Sequence, residues 1–272
     1  MCDICVMNAV KDKMLSRRNF FKASAATTAA AAMGATASGT AAMAGGHGAV
    51  VDMSHNLDED FPTYFGNPGL SREQTLNWDE HKVNLFQLSV MEHTSTHIDA
   101  PLHFSADGRS VDELTVSDLV APLCVVDIAA RAAENPDAQV TPDDLKAWMS
   151  DHGDLPENAV VAMHSGWGGK TATDGFRNAD GEGVMHFPGF HIEATQMLLE
   201  TNAGAIAVDT LSLDHGPSAD FATHYAWLPT GRFGIECLAN LDKMPASGAT
   251  IVIGAMKTTG GTGGPARIFG MV

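Results

Sequence analysis

Short apolar runs recur along most of the chain, at 48–53, 83–90, 119–128, 159–163, 203–208, 249–255 and 266–272. Several are continuous rather than alternating and are rich in β-branched residues. That pattern suits strands buried on both faces. Two segments carry a helical period instead. Thr141-Pro142-Asp143-Asp144 offers an N-cap, a proline at the first helical position and first-turn acids ahead of Leu145, Trp148 and Met149. From Phe190 to Asn202, Ile192, Met197 and Leu198 or Leu199 fall at roughly helical spacing, and Gly204 follows as a stop. The run from Phe233 to Leu241 reads as helix or strand. Together these elements predict an α/β protein with a mixed, strand-rich β core. No internal repeat and no linker divides it, so residues 45–272 read as a single domain.

Residues 1–44 read as an address rather than as fold. Ser16-Arg17-Arg18-Asn19-Phe20-Phe21-Lys22 has the pattern of a twin-arginine export motif. A weakly apolar stretch follows, in which 11 of the 20 residues from Ala25 to Ala44 are alanine, and Ala42-Met43-Ala44 supplies a cleavage site. The run has no polar face, which opposes an amphipathic helix of the fold. The expected location is periplasmic or extracellular. Met14 is an alternative start to Met1.

The whole chain of 272 residues carries a net charge of −17. Removing residues 1–44 takes away five basic and two acidic residues and leaves −20, while all twelve histidines stay. Such a surface opposes binding to nucleic acid, which needs clustered Lys and Arg, and to anionic lipid. It also opposes an acidic protein partner and favours cations. After residue 44 no apolar run reaches 18 residues, so no spanning helix is expected. Cys2-x-x-Cys5 precedes the export motif and would leave with it. Cys124 and Cys237 sit among apolar residues and read as buried free thiols, although an exported location keeps a disulfide possible. Two glycine-rich stretches read as loops. Gly166 to Thr171 lacks the first glycine of a phosphate loop, and Gly260 to Pro265 lacks the helix a dinucleotide fingerprint requires.

The chemistry concentrates between Glu92 and Phe104. A helix would place His93 and His97 one turn apart, but Pro101 and the Thr and Ile residues disfavour it. An extended chain fits better and would put His93, His97, Asp99 and His103 on one face. Three imidazoles and a carboxylate converging there are costly without a shared cation or a solvent-filled cleft. Two nitrogens and a carboxylate suit zinc, manganese or iron(II). Glu236, between Ile235 and Cys237, is a carboxylate in an apolar setting and is also a candidate ligand.

His93-x3-His97-x-Asp99-x-Pro101-x-His103 resembles the signature of the metal-dependent cyclase family, which includes the bacterial kynurenine formamidases and the isatin hydrolases. Asp209-Thr210-Leu211-Ser212-Leu213-Asp214 is similar to the family's Asp-x-x-Ser-x-Asp stretch. His224, followed twelve residues later by Glu236, matches the spacing of its remaining metal ligands. Phe61 to Gly66 falls where the formamidases carry a substrate-contacting aromatic. The similarity covers most of residues 48–272. Ser95 stands where the family usually has glycine, and Tyr64 where the formamidases have tryptophan.

The resemblance implies a swivelling β/β/α fold and homodimers or larger assemblies. It implies that His93, His97 and Asp99 bind one divalent ion, zinc or manganese. Asp99 would bridge to a second ion completed by His224 and Glu236, some members holding only one. His103 would shuttle the proton and Tyr64 would touch substrate. The implied activity is hydrolysis of a C–N bond in a small amide, of the arylformamidase type. Hydrolysis of a lactam such as isatin, or of a lactone, is the near alternative. An exported metal-binding protein without catalysis is the reading from another class. Export is unusual for tryptophan breakdown and points to an external substrate.

Overall fold

The computed structural model describes residues 48–272; the export motif, its cleavage site and the Cys2–Cys5 pair lie outside them. Twelve strands are described: β1 (Val50–Asp52), β2 (Leu70–Leu76), β3 (Leu85–Val90), β4 (His97–Asp99), β5 (Val120–Asp127), β6 (Gln139–Val140), β7 (Val160–His164), β8 (Gly189–Phe190), β9 (Ala205–Val208), β10 (Phe233–Glu236), β11 (Ala249–Ala255) and β12 (Gly263–Met271). The helices are α1 (Trp78–His81), α2 (Val116–Leu119), α3 (Ala129–Glu134), α4 (Pro142–His152), α5 (Ile192–Leu199) and α6 (Ala222–Trp227).

The central strands are apolar throughout because alternate residues feed two different cores. Leu123 and Val125 of β5, Val160 and Ala162 of β7, and Ala205 and Ala207 of β9 join one cluster with Ile98, Phe233, Ile235, Ile251 and Ile268. Their neighbours Cys124, Val126, Val161, Met163, Ile206 and Val208 join a second cluster with Leu145 and Trp148 of α4, Leu198 of α5 and Trp227 of α6. The sheet runs β1-β12-β11-β5-β7-β9-β10-β4, and β4 pairs again with β12. That second pairing closes a barrel-like ring, which leaves β1, paired only with β12, as the edge of this sheet. The first cluster fills the ring and the second lies beneath the helices. Pairings β5–β7, β7–β9 and β9–β10 are parallel, and the remainder of the ring is antiparallel. The mixed α/β class expected from the sequence is what the chain adopts.

The capping signal at Thr141 works as read. Its hydroxyl accepts from the Asp144 N–H, and the Asp144 carboxylate reaches back to the Thr141 N–H at 2.7 Å. The ambiguous run from Phe233 resolves as strand β10. One expectation fails. The run 83–90 is not a doubly buried strand: β2 and β3 pair only with each other, and Leu85 to Ser89 are all exposed. Its partner strand, Leu70–Leu76, is polar enough to escape notice.

Candidate active site

β4 carries the centre of the site. Within its three residues the side chains alternate, so Ile98 enters the barrel core while His97 and Asp99 face outward together. On the neighbouring strand β10 the same alternation sends Ile235 inward and Glu236 outward, directly opposite His97. Asp99 is flanked by Gly234 on β10 and Gly263 on β12. A Cβ at Gly234 would come within 2.7 Å of Leu213, and one at Gly263 within 2.8 Å of the His93 ring. Gly263 thus makes room for the His93 ring, and Gly234 for Leu213 beside Asp99.

The single extended face predicted for residues 93–103 is not formed. Only 97–99 is strand; Ser95 turns back in the left-handed region at φ 55°, and Pro101–Phe104 is a 3-10 turn. Pro101 fits the first turn, where its missing N–H costs nothing. These two bends, rather than period-two alternation, bring His93 and His103 together, stacked at 3.8 Å between ring centroids. Serine stands where glycine would be easiest, and its hydroxyl holds the bend by donating to the Asn56 carbonyl. Phe221 and Cys237 also lie in the left-handed region, at φ 50° and 56°. Strained residues therefore sit between His93 and His97, before His224 and after Glu236, as happens where function fixes geometry.

The hydrogen bonds of two histidines fix which nitrogen faces the site. His97 donates from Nδ1 to the Ser95 carbonyl at 2.8 Å. His224 donates from Nδ1 to Asp214 Oδ2 at 2.6 Å. Both Nε2 atoms then face carboxylates, as lone pairs for a cation or, without one, as protonated nitrogens. His97 Nε2 lies 3.3 Å from both Asp99 Oδ1 and Glu236 Oε2, and His224 Nε2 lies 3.2 Å from Glu236 Oε1 and 3.7 Å from Asp99 Oδ2. His97 Nε2 and Asp99 Oδ2 are buried without any hydrogen bond. Buried polar atoms left this way cost a few kcal/mol each, about 1–3, unless a ligand satisfies them. Facing lone pairs and carboxylates are satisfied by positive charge.

The electrostatics say the same. Burial opposes charge on His97, yet Asp99 and Glu236 push it up to about 10. Burial likewise opposes charge on His224, which Asp214, Asp99 and Glu236 hold well above the ordinary range. Asp99 is buried too, but His97, His224 and His93 keep it well below the usual carboxylate range. Three nitrogens and two carboxylates form a mixed N/O donor set that fits a divalent cation. His97, Asp99 and Glu236 offer ligand atoms within 4.8 Å of one another, as do His93, Asp99 and His103.

A cavity of about 370 Å³ opens onto these groups. Its far wall is aromatic: Phe104 meets Phe221 and Tyr225, and Tyr64 meets Phe221 and Phe65, at centroid distances of 4.9 to 5.7 Å. None of the described residues lining it is Lys or Arg. Burial and the Glu236 carboxylate raise Tyr64, which keeps its phenol neutral. Burial lowers His103 to about 4, against the pull of Asp99, so its ring is neutral at pH 7.

Each residue singled out in the sequence therefore lies in one cluster: His93, His97, Asp99, His224, Glu236 and His103, with Tyr64 on the wall. Behind the wall, Trp167 is buried among Phe61, Phe176 and Phe187. Asp214 is a residue whose part the sequence did not reveal. It accepts from the Thr223 and His224 N–H groups as well as the His224 ring, so it fixes both the start of α6 and the imidazole. Its signal was the acidic stretch 209–214, whose other carboxylate does something different. Asp209 caps the turn at 165–167, accepting from Ser165 and the Trp167 N–H.

Comparison with known proteins agrees with this geometry. Residues 51–215 match the Cyclase family model ("Putative cyclase"), and residues 14–34 match the twin-arginine translocation signal sequence. The family match ends before His224 and Glu236, whose spacing carried their resemblance to the family's remaining ligands and which the fold brings to His97 and Asp99. The chain is 34% identical to the isatin hydrolase of Roseibium aggregatum over 191 residues, 66% of this chain and 72% of that protein. It is 27% identical to the kynurenine formamidase of Salinibacter ruber over 221 residues, 80% of this chain and 95% of that one. The solved structure of isatin hydrolase A from Labrenzia aggregata, bound to benzyl benzoate, superimposes with a TM-score of 0.78 at 35% identity, covering 82% of this chain and 93% of that one. A family match over more than half of the chain, joined to a shared fold and to the His93–His103 signature, makes this protein a member of the cyclase family of hydrolases.

Proposed function

We propose that the protein hydrolyses the C–N bond of a small, neutral, aromatic cyclic amide. In this reading His93, His97, Asp99, His224 and Glu236 hold one or two divalent ions, zinc or manganese. The observation that carries it is the unpartnered pair His97 Nε2 and Asp99 Oδ2, with His97 lining an aromatic cavity. When bound, such an ion supplies a Lewis acid that polarises a carbonyl and acidifies water. The chain's own groups do the rest. His103, neutral at pH 7, takes a proton from the attacking water and, as a strong acid once charged, returns it to the leaving nitrogen. Phe104, Phe221 and Tyr64 clasp a flat ring, and the Tyr64 phenol donates to substrate. Water adds across the C–N bond, giving a carboxylate and an amine that stay in one molecule when the amide is cyclic.

The arylformamidase reading is kept second. The substrate of a kynurenine formamidase is an amino acid, and its carboxylate would enter a site lined by Glu236 and no described cation. The 34% identity to an isatin hydrolase, against 27% to a formamidase, supports the same order. A lactone fits the cavity as a lactam does. Export places the protein in the periplasm or outside the cell, with residues 1–44 removed, 45–272 as the working domain and an external compound as substrate. The swivelling β/β/α description and a homo-oligomeric, dimeric state come with the family reading.

Absorbance assays on isatin and on N-formyl-L-kynurenine, run side by side, test the substrate class. The expected result is a kcat/KM at least tenfold higher for the neutral lactam. A preference for the formyl amino acid would reverse the order of the two readings and return tryptophan breakdown as the context.

A further inference from the structure

His93 presents Nδ1 to Asp99 Oδ1 at 2.7 Å and turns Nε2 to the Thr262 hydroxyl at 3.0 Å. A threonine hydroxyl has one hydrogen. Thr262 gives it to Glu92 Oε2 at 2.5 Å, and its backbone N–H donates to the same oxygen at 3.2 Å. Towards His93 the Thr262 oxygen can therefore only accept. Once a cation takes the Nδ1 lone pair, Nε2 carries the ring proton and donates it to Thr262; without one, Nδ1 can donate to Asp99 instead. Two acceptors compete for that proton. If Asp99 won it, the hydrogen would sit on Nδ1, where it would block a cation.

The surroundings are built to hold this arrangement. The Thr262 carbonyl accepts from the Ala100 N–H at 2.9 Å, which ties it to the residue after Asp99. A Cβ at Gly261 would lie 2.7 Å from Glu92 Oε1, and one at Gly263 would lie 2.8 Å from His93 Cε1. The glycine-rich stretch read from sequence as an ordinary loop thus packs close on Glu92 and His93, and at Gly263 a Cβ would also strike the Ile98 carbonyl oxygen.

We propose that Glu92 and Thr262 are positioning residues that select Nδ1 of His93 as the atom offered to a divalent cation. The inference rests on reading the Asp99 cluster as a metal centre. Outer partners that orient a ligating histidine change metal affinity by about 10–100-fold when removed. Glu92→Ala also frees the Thr262 hydrogen to turn onto Nε2, which drives the ring proton to Nδ1.

The test is zinc titration of the full-length protein and its variants, with nitrogen-15 NMR of His93 in the zinc-loaded state. Wild type should show a protonated Nε2 and a zinc-shifted Nδ1. Thr262→Val and Glu92→Ala should each bind zinc about 10–100-fold more weakly. Thr262→Ser, which keeps the hydroxyl, should restore wild-type affinity. Glu92→Gln, which keeps an acceptor oxygen, should fall between and serves where Glu92→Ala does not fold. Thermal unfolding of the zinc-free variants separates lost positioning from lost structure. Wild-type zinc affinity in Thr262→Val and Glu92→Ala, or zinc on Nε2 in wild type, overturns the relay while leaving the metal centre intact. Wild type that binds no zinc at His93 removes both.

Discussion

His103 stacks on His93 and offers a nitrogen near Asp99, so its place alone fits either a ligand or a proton carrier. The two roles separate on substitution. His103→Ala should lower kcat by 10²–10⁴-fold, the usual worth of a general acid–base group, and leave the number of bound metal ions unchanged. Loss of metal together with activity would make His103 a ligand instead. The thiols give a second prediction at this scale. Burial pushes Cys124 up to about 12, and burial beside Glu236 holds Cys237 well above the ordinary thiol range. They lie in different apolar clusters and are not bridged. Neither should react with a disulfide reagent at pH 8 until the protein unfolds, and then both should. Reaction of one thiol in the folded state would contradict their burial. The site was legible to the extent that residue type announces chemistry: a run of His, Asp and His stands out. Glu92 and Thr262 did not, and Asp214 stood in a motif without a role, because acidic and hydroxyl residues are common and their value here comes only from what they touch.

Among the elements, the strands that fill both cores were readable because burial on two faces leaves an unbroken apolar run. β4 and β10 were not delimited, since they are short and interrupt that run with His97, Asp99 and Glu236, whose burial is repaid by the site. The 171–188 segment is largely irregular, yet it backs the pocket wall: Phe176, Met185 and Phe187 pack with Phe61 and Tyr64. It is pinned at two points. Arg177 donates to the Tyr64 carbonyl at 3.1 Å, and His186 lies between Asp137, at 2.9 Å, and Asp180, at 3.6 Å. The hydrogen bond to Asp137 raises His186 above its ordinary value, outweighing burial, and Asp180 adds to it. A raised folded-state pKa stabilises fully below the unfolded value of about 6.5 and is lost as pH climbs through the folded value. His186→Gln should therefore lower the urea midpoint more at pH 6 than at pH 9. An equal or larger gap at pH 9 would show that the pin is not an ion pair.

At the scale of the whole molecule, the β2–β3 ribbon stands apart from the barrel. It exposes Leu85, Phe86 and Leu88, with Trp78 and Val83 in the connection between its strands. Two strands alone are marginal in water, and this much exposed apolar side chain calls for cover. The dimer proposed above would meet that need symmetrically, each ribbon set against the other subunit. Light scattering should give twice the chain mass, and Leu85→Lys with Leu88→Lys should shift it towards the monomer. A monomeric wild type would leave the ribbon without the partner argued here. None of the described helices is long and apolar enough to cross a membrane.

The account turns on one claim, that buried histidines and carboxylates facing an aromatic cavity are a hydrolytic metal centre. Lactam hydrolysis, followed by absorbance alongside metal content, should vanish after dialysis against a chelator and return on adding zinc or manganese. Recovery should saturate at one or two ions per chain, and Asp99→Asn should recover neither metal nor activity. Undiminished hydrolysis by metal-free protein would contradict the account.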